Sequence, residues 1–386
     1  MIIALYAFFF ILIGWGSKRL PFIPLLCVIF GIVWGIFGEV HSRALLKNLA
    51  IVSVIFFLFI DALRLHIKKV VHYHSLRLPT IGLITTLALG VLAVKLFFPL
   101  SIEEAFVVVL PLLAIDRKIV MPAFSKRVPQ RVSQMLNVEC SLTSLIAFFF
   151  LSIMHLSHPF HFFVGIVFPL IAGGALGYVF GLIGRAAEEN GWAERHLFQG
   201  ALFLIPFAVF AFCLLFRSNG YIGVISCGIV FGNTARPLCR SLFDLSHRQA
   251  AYLFYLLLVL FGTYSFHILS FSMTPRLLIF ALLFLVVIRF LAVLISFQKA
   301  PYQWKTLGFS TFFAPKGLIP IALALLFTDY FSYPNETLML SIVLTTTFFS
   351  LLLHPLFAHP VAEAYSGAIN RSKSAYEHLP IIPLPL

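Results

Sequence analysis

The chain has 386 residues, of which 61% are hydrophobic and only 11% charged, and its mean hydropathy is +1.03. A soluble domain needs more polar surface than that, so the composition excludes one and points to a polytopic membrane protein. The net charge of +13 does not imply a nucleic-acid partner, because the cations lie in short loops and no basic patch is interleaved with stacking aromatics.

Crossing ~30 Å of hydrocarbon takes about 20 apolar residues. In chain order, such segments fall near 2–15, 22–38, 47–65, 79–99, 104–124, 136–155, 160–183, 198–216, 219–234, 250–271, 276–297, 307–328 and 336–358. The first opens with "MIIALYAFFFILIGWGSKRL". It has no basic stretch ahead of its apolar run and no small-x-small cleavage site, so it is expected to be a first membrane helix rather than a signal peptide. Beyond 360 the chain is short and polar, then reads "PIIPLPL", and an extended tail is expected.

Lysine and arginine set the expected orientation. Loops after odd-numbered segments, with the tail, hold eighteen of them; loops after even-numbered segments hold four. The bias favours thirteen helices, with the N-terminus outside, the C-terminus in the cytoplasm and the chain in the cell membrane. The other five are Lys95, Arg117, Lys118, Arg289 and Lys316, which lie in or against apolar segments together with Asp61, Asp116 and Glu139. Charge in lipid is costly, so such residues are functional candidates. Lys95, Lys118 and Asp61 are near enough to segment ends or basic runs to be explained by snorkelling; Asp116 and Lys316 are not.

Two segments are interrupted. The fifth, "EAFVVVLPLLAIDRKIVMPAF", has Pro111 and Pro122 on either side of Asp116; the twelfth carries "APKG" at Ala314–Gly317. Proline removes a backbone donor and glycine loosens the chain, so both helices should break. With the seventh segment as a linker, the breaks fall in the fifth helix of each six-helix half, and the halves run in opposite directions. This is the inverted-repeat plan of many secondary transporters, with the transport site at the breaks. The expected divisions are 1–156, linker 157–184, 185–360 and tail 361–386. Half-helix ends meeting at mid-membrane carry opposite partial charges, which Asp116 and Lys316 can neutralise.

At this point the chain resembles the sodium/proton exchangers, the first family of monovalent cation:proton antiporters. The resemblance rests on "RLPFIPLLCVIFGIVWGIFG", "FFLFIDALRLHIKK", "SNGYIGVISCGIVFGNTARP" and "STFFAPKGLIPIALALL", where Lys316 stands at the arginine of a G-P-R-G-L pattern. The match spans nearly the whole chain. It implies an all-α fold of about thirteen membrane helices, crossing interrupted helices five and twelve, a homodimer, and exchange of sodium, potassium or lithium for protons.

The chain departs from the family at its chemistry. The helix-five pattern A-T-D-P-V-A-V reads "AIDRKIV", keeping Asp116 but placing Arg117 at the proline. The helix-six pattern G-E-S-L-x-N-D reads "VECSLTSLIA", so the exchanging aspartate of that pattern is absent. One alignment sets Glu139 on the family glutamate and Thr143–Ser144 on Asn-Asp; the other sets Cys140 and Ser144–Leu145 there. The first is preferred, since the resemblance then implies an ion pair between Glu139 and Lys316.

Three readings follow. Asp116 takes over the carboxylate role, with Thr143 and Ser144 as neutral oxygen ligands; or Glu139 binds ions and Lys316 competes with them; or the fold carries another solute or anion, or has a non-transporting role. Arg117 and Arg289 would support the helix crossing; for Arg289 a buried structural role is preferred, with bonding of unwound carbonyls as the alternative.

The remaining signals are structural. Cysteines 27, 140, 213, 227 and 239 are scattered and suit packing, with no disulfide framework or zinc site expected. His155, His158 and His161 are read as an interfacial loop rather than a metal site. Thr345–Thr347 are expected to bond between helices, and the glycines of "LIAGGALGYVFG" to let helices pack closely. No nucleotide loop or hydrolase motif occurs, so neither a cofactor nor an enzyme is expected.

Overall fold

A computed structural model describes residues 11, 14, 23–37, 43–65, 76–116, 119, 128–154, 162–192, 194–239, 254–264, 266, 274–330, 333–371 and 376–378. Every extended element among them is helical and none is a strand. The helices are α1 (Ile23–Phe37), α2 (Arg43–Arg64), α3 (Leu78–Phe97), α4 (Ile102–Leu113), α5 (Gln130–Met154), α6 (Phe163–Glu189) and α7 (Arg195–Leu215). They continue with α8 (Gly220–Thr234), α9 (Phe254–Tyr264), α10 (Pro275–Ser296), α11 (Trp304–Phe312), α12 (Leu318–Tyr330) and α13 (Glu336–Asn370). Among the described residues six helices are long and apolar enough to cross a membrane: α3, α6, α10, α13 and the greater parts of α5 and α7. Most of the expected 2–15 segment and the His155–His161 group lie outside the described residues.

Both expected interruptions are present: α4 stops at Leu113, and an irregular stretch separates α11 from α12. Around them pack α3, α5, α10 and α13, while α2 lies between this group and the pair α6 and α8. The α6–α8 contact depends on small residues. A methyl group on Gly177 would sit 2.5 Å from the carbonyl oxygen of Cys227, so the two backbones approach as closely as they do only because Gly177 has no side chain. The outer face of α6 exposes Ile171, Tyr178 and Ile183, which suits contact with hydrocarbon. The five cysteines are buried and free.

The start of α4 is sharply defined. Ser101 Oγ accepts the Glu104 amide at 3.1 Å, and Glu104 Oε2 accepts the Ser101 amide at 2.7 Å, which is a capping box. The other carboxylate oxygen, Glu104 Oε1, accepts from Asn335 Nδ2 at 2.9 Å, tying α4 to the residue that opens α13. This reciprocal cap starts the helix two residues ahead of the expected 104.

α13 differs more. The apolar run ends near 358, yet the helix continues through Pro355 and Pro360 to Asn370. Its 35 residues span about 52 Å, well beyond the hydrocarbon core. The tail is therefore not wholly extended, and its Tyr376–His378 turn folds back onto the helices. Glu377 Oε1 accepts from the Gln303 amide at 2.9 Å and from Thr306 Oγ1 at 2.6 Å, supplying the N-terminus of α11 with an acceptor from outside that helix. Arg131 of α5 stacks over the Tyr376 ring at 4.2 Å. Glu377 is almost fully buried, and Glu377→Ala removes the acceptor that the Gln303 amide and the Thr306 hydroxyl share. We expect it to cost about 1–3 kcal/mol, measured as a lower unfolding midpoint in detergent. An unchanged midpoint would mean that the docked tail adds nothing to stability.

Candidate functional site at the crossing of two broken helices

Proline and glycine at 315 and 317 keep the twelfth segment from closing its helix, and the two unwound stretches meet there. The Asp116 amide donates to the carbonyl of Pro315 at 2.9 Å, joining them by one backbone hydrogen bond. Each stretch then caps the half-helix of the other. Asp116 Oδ2 accepts the Leu318 amide at 3.1 Å, at the N-terminus of α12. Lys316 Nζ lies 3.4 Å from the carbonyl oxygens of both Leu113 and Ala114, at the C-terminal end of α4. A carboxylate thus faces a partial positive helix end and an ammonium a partial negative one. Gly317 is required for this approach, because a methyl group there would lie 2.6 Å from Asp116 Oδ2.

The partner of Glu139 differs from expectation. Arg289 of α10, not Lys316, holds it: Nη1 donates to Oε1 at 2.5 Å and Nη2 to Oε2 at 2.9 Å. Arg289 Nη2 also donates to the Ser310 carbonyl at 3.1 Å, in the last turn of α11. The guanidinium fork matches a carboxylate in two places, whereas an ammonium offers a point charge. A π-helical stretch, Leu283–Ile288, immediately precedes Arg289 in α10. It offsets the register of the helix where the arginine turns inward. Glu139 and Arg289 are both buried, with side chains 1% and 9% exposed. The expected Glu139–Lys316 pair is therefore replaced by two separate arrangements, one ionic and one made of helix caps. The resemblance misassigned the acid's partner because it treated Lys316 as an arginine.

Thr143 and Ser144 of α5 stand beside the broken fifth segment. Thr143 Oγ1 donates to the Glu139 carbonyl at 2.8 Å, while Ser144 Oγ lies 3.0 Å from the Cys140 carbonyl and 3.4 Å from that of Ile115, the residue before Asp116. With their protons on backbone carbonyls, both hydroxyl oxygens keep lone pairs available to a cation. A cavity of about 20 Å³ adjoins this region and is lined by Thr86, Ile115, Glu139, Thr143, Arg289 and Lys316 among others. That is room for one water or a similarly small species.

Asp61 and Lys95 are accounted for locally. Asp61 pairs with Arg64 at 3.4 Å, and Lys95 Nζ reaches the Leu100 carbonyl at 2.5 Å, past the end of its helix. Arg117 and Lys118 lie outside the described residues. Among the described residues, the bonds expected between helices at Thr345–Thr347 do not form: Thr346 Oγ1 donates to the Ile342 carbonyl of its own helix, and the Thr345 and Thr347 hydroxyls have no hydrogen bond there. A neighbouring carbonyl one turn back competes successfully for the hydroxyl. Two residues that motif reading passed over, Ser350 and His354, touch the break from α13. Their signal in the sequence is weak, a serine and a histidine one helical turn apart in an apolar run.

A family model described as "Sodium/hydrogen exchanger, transmembrane" matches residues 3–364. The chain belongs to the sodium/hydrogen exchanger family. This exchanger is a multi-pass membrane protein, and its family and fold are those of a transporter. Its fold is similar to a solved structure of the sodium proton antiporter MjNhaP1 from Methanocaldococcus jannaschii at pH 8, with a TM-score of 0.73 and 18% identity. The match covers 95% of this chain and 98% of that one. No curated protein sequence matches the chain.

Proposed function

We propose that this exchanger moves a monovalent cation against protons, with Asp116 as the carboxylate for which the two compete. The observation that carries this reading is the reciprocal capping across the two breaks. It sets an acid and a base at the crossing, and Lys316 and Thr143 line the adjoining cavity of about 20 Å³. A cation takes one carboxylate oxygen of Asp116 with the hydroxyl oxygens of Thr143 and Ser144; a proton neutralises the same carboxylate and leaves the hydroxyls vacant. Because one site holds either species, and faces one side of the membrane at a time, carriage of one is coupled to return of the other.

Glu139 and Arg289 hold α5, α10 and α11 together at the crossing. Lys316, resting on the Leu113 and Ala114 carbonyls, supplies the site with an internal positive charge. On this reading the halves 1–156 and 185–360 are inverted repeats about linker 157–184. The chain then works as a homodimer in the cell membrane, with its N-terminus outside and its C-terminus in the cytoplasm.

One observation favours a second reading. Among the described residues, the charges lining the cavity are Arg289, Lys316 and a single acid, Glu139, which suits an anionic solute.

Proteoliposomes with an imposed pH gradient separate the two. Exchange predicts that adding sodium, potassium or lithium dissipates the gradient. An anion carrier predicts no response to these cations and solute uptake that is lost in Lys316→Met. Indifference to every cation in well-reconstituted protein would overturn the exchange reading.

A further inference from the structure

Ser350 and His354 lie one turn apart on α13 and are almost fully buried. Ser350 Oγ accepts the backbone amide of Lys316 at 2.6 Å. His354 Nδ1 stands 3.0 Å from Ser350 Oγ and 2.9 Å from the Ser350 carbonyl. The imidazole also packs against the Phe312 ring at 5.0 Å. Phe312 ends α11, and Lys316 lies in the break that follows. The pair therefore holds both edges of the interruption from one side.

The hydrogen bonds around the ring suit two proton counts. A neutral ring with its proton on the other nitrogen accepts the Ser350 hydroxyl proton at Nδ1. A protonated ring instead donates from Nδ1 to the Ser350 carbonyl, and the Ser350 hydroxyl proton must then find another acceptor. Ser350 is the side chain that bonds the Lys316 amide, so the proton on His354 is felt at the backbone of the break. The charged side chains that act on the imidazole are Lys316 from the break and Arg289 from α10. Arg289 is itself paired with Glu139. Among the described residues no carboxylate contacts His354.

We propose that Ser350 and His354 are positioning residues for the α11–α12 break, and that the proton on His354 sets how firmly the Lys316 segment is held. The pair acts through the Lys316 backbone and touches no transported ion. Its effect on transport rests on the exchange reading above; its effect on the break does not.

Two measurements keep these apart. The first is deuterium exchange of the Lys316 amide across a pH series, corrected for the intrinsic rate, in the native protein, His354→Phe and Ser350→Ala. Loss of the side-chain acceptor is expected to reduce protection by about ten-fold in Ser350→Ala. The native protein should show a pH step in protection that His354→Phe, which keeps the aromatic packing on Phe312, lacks. Equal protection and an identical pH dependence in all three would overturn the proposal.

The second is the pH profile of cation-driven exchange in proteoliposomes. His354→Phe is expected to move the profile along the pH axis, and Ser350→Thr, which keeps the hydroxyl, to restore the native one. Lower yield or stability with an unmoved profile would show a merely structural role and sink the transport half. A native protein without exchange would refute the transport reading, while the amide result would still decide the positioning claim.

Discussion

Asp116→Asn is expected to reduce cation-driven dissipation of a pH gradient to the level of empty liposomes, in protein that folds and melts like the native chain. The reason lies in the two tasks of this side chain. As an acceptor for the Leu318 amide at 3.1 Å, it caps the N-terminus of α12, and an asparagine oxygen does this nearly as well. As the competing carboxylate, it must carry a charge in one state and a proton in the other, and an amide does neither.

Function and fold therefore come apart in this variant. Asp116→Ala removes the cap as well and should also lose about 0.5–2 kcal/mol of stability. Thr143→Ala and Ser144→Ala keep the carboxylate and lose one neutral oxygen each. Weaker apparent cation affinity is expected in both, with maximal exchange rate less affected. Native-like exchange in Asp116→Asn would remove Asp116 from the mechanism and return attention to Glu139.

Much of this arrangement is legible in the sequence, for physical reasons that differ from residue to residue. Proline beside glycine in an apolar run reports an interrupted helix whatever its neighbours, so the breaks at 114–116 and 313–317 can be read directly. A buried acid and a buried base near two such breaks can be matched to helix ends of opposite sign, because the helix dipole has a fixed direction.

Pair choice is a different kind of fact. Three cationic side chains, Lys316, Arg289 and Arg117, could in principle serve Glu139, and sequence does not reveal which one points at it. That depends on the rotation of α10, which its π-helical stretch changes just ahead of Arg289. The resemblance favoured Lys316 by position. The two-toothed fit of a guanidinium to a carboxylate favoured Arg289.

Ser350 and His354 were hidden for another reason. Their importance comes from a backbone amide freed by the break, and an amide carries no side-chain signature. α13 likewise outran its apolar stretch. A helix that leaves the bilayer for water no longer needs apolar residues, so hydropathy stops reporting it.

The exchange of partners at Glu139 gives the second large effect. Arg289→Ala leaves a carboxylate that is 1% exposed without the two donors that hold it, and frees the Ser310 carbonyl. Removing one member of a buried pair costs about 3–5 kcal/mol, because the charge left behind is neither solvated nor compensated. Arg289→Lys keeps the charge but not the two-toothed geometry, and should fall between. The double variant Glu139→Gln with Arg289→Gln leaves no isolated charge, and we expect it to recover most of the loss.

Lys316→Met provides the contrast. Its ammonium sits on two helix-end carbonyls at 3.4 Å, and such caps are worth about 0.3–2 kcal/mol. The midpoint of unfolding in detergent should therefore rank the variants with Arg289→Ala far below Lys316→Met. If Lys316 were the true partner of Glu139, the order would reverse and the double variant at 139 and 289 would recover nothing. The ranking thus tests the geometry of the crossing without any assumption about what is transported. It also bears on why the crossing keeps two cations: Arg289 fixes the acid in place, and Lys316 remains on carbonyl oxygens of the kind that cations bind.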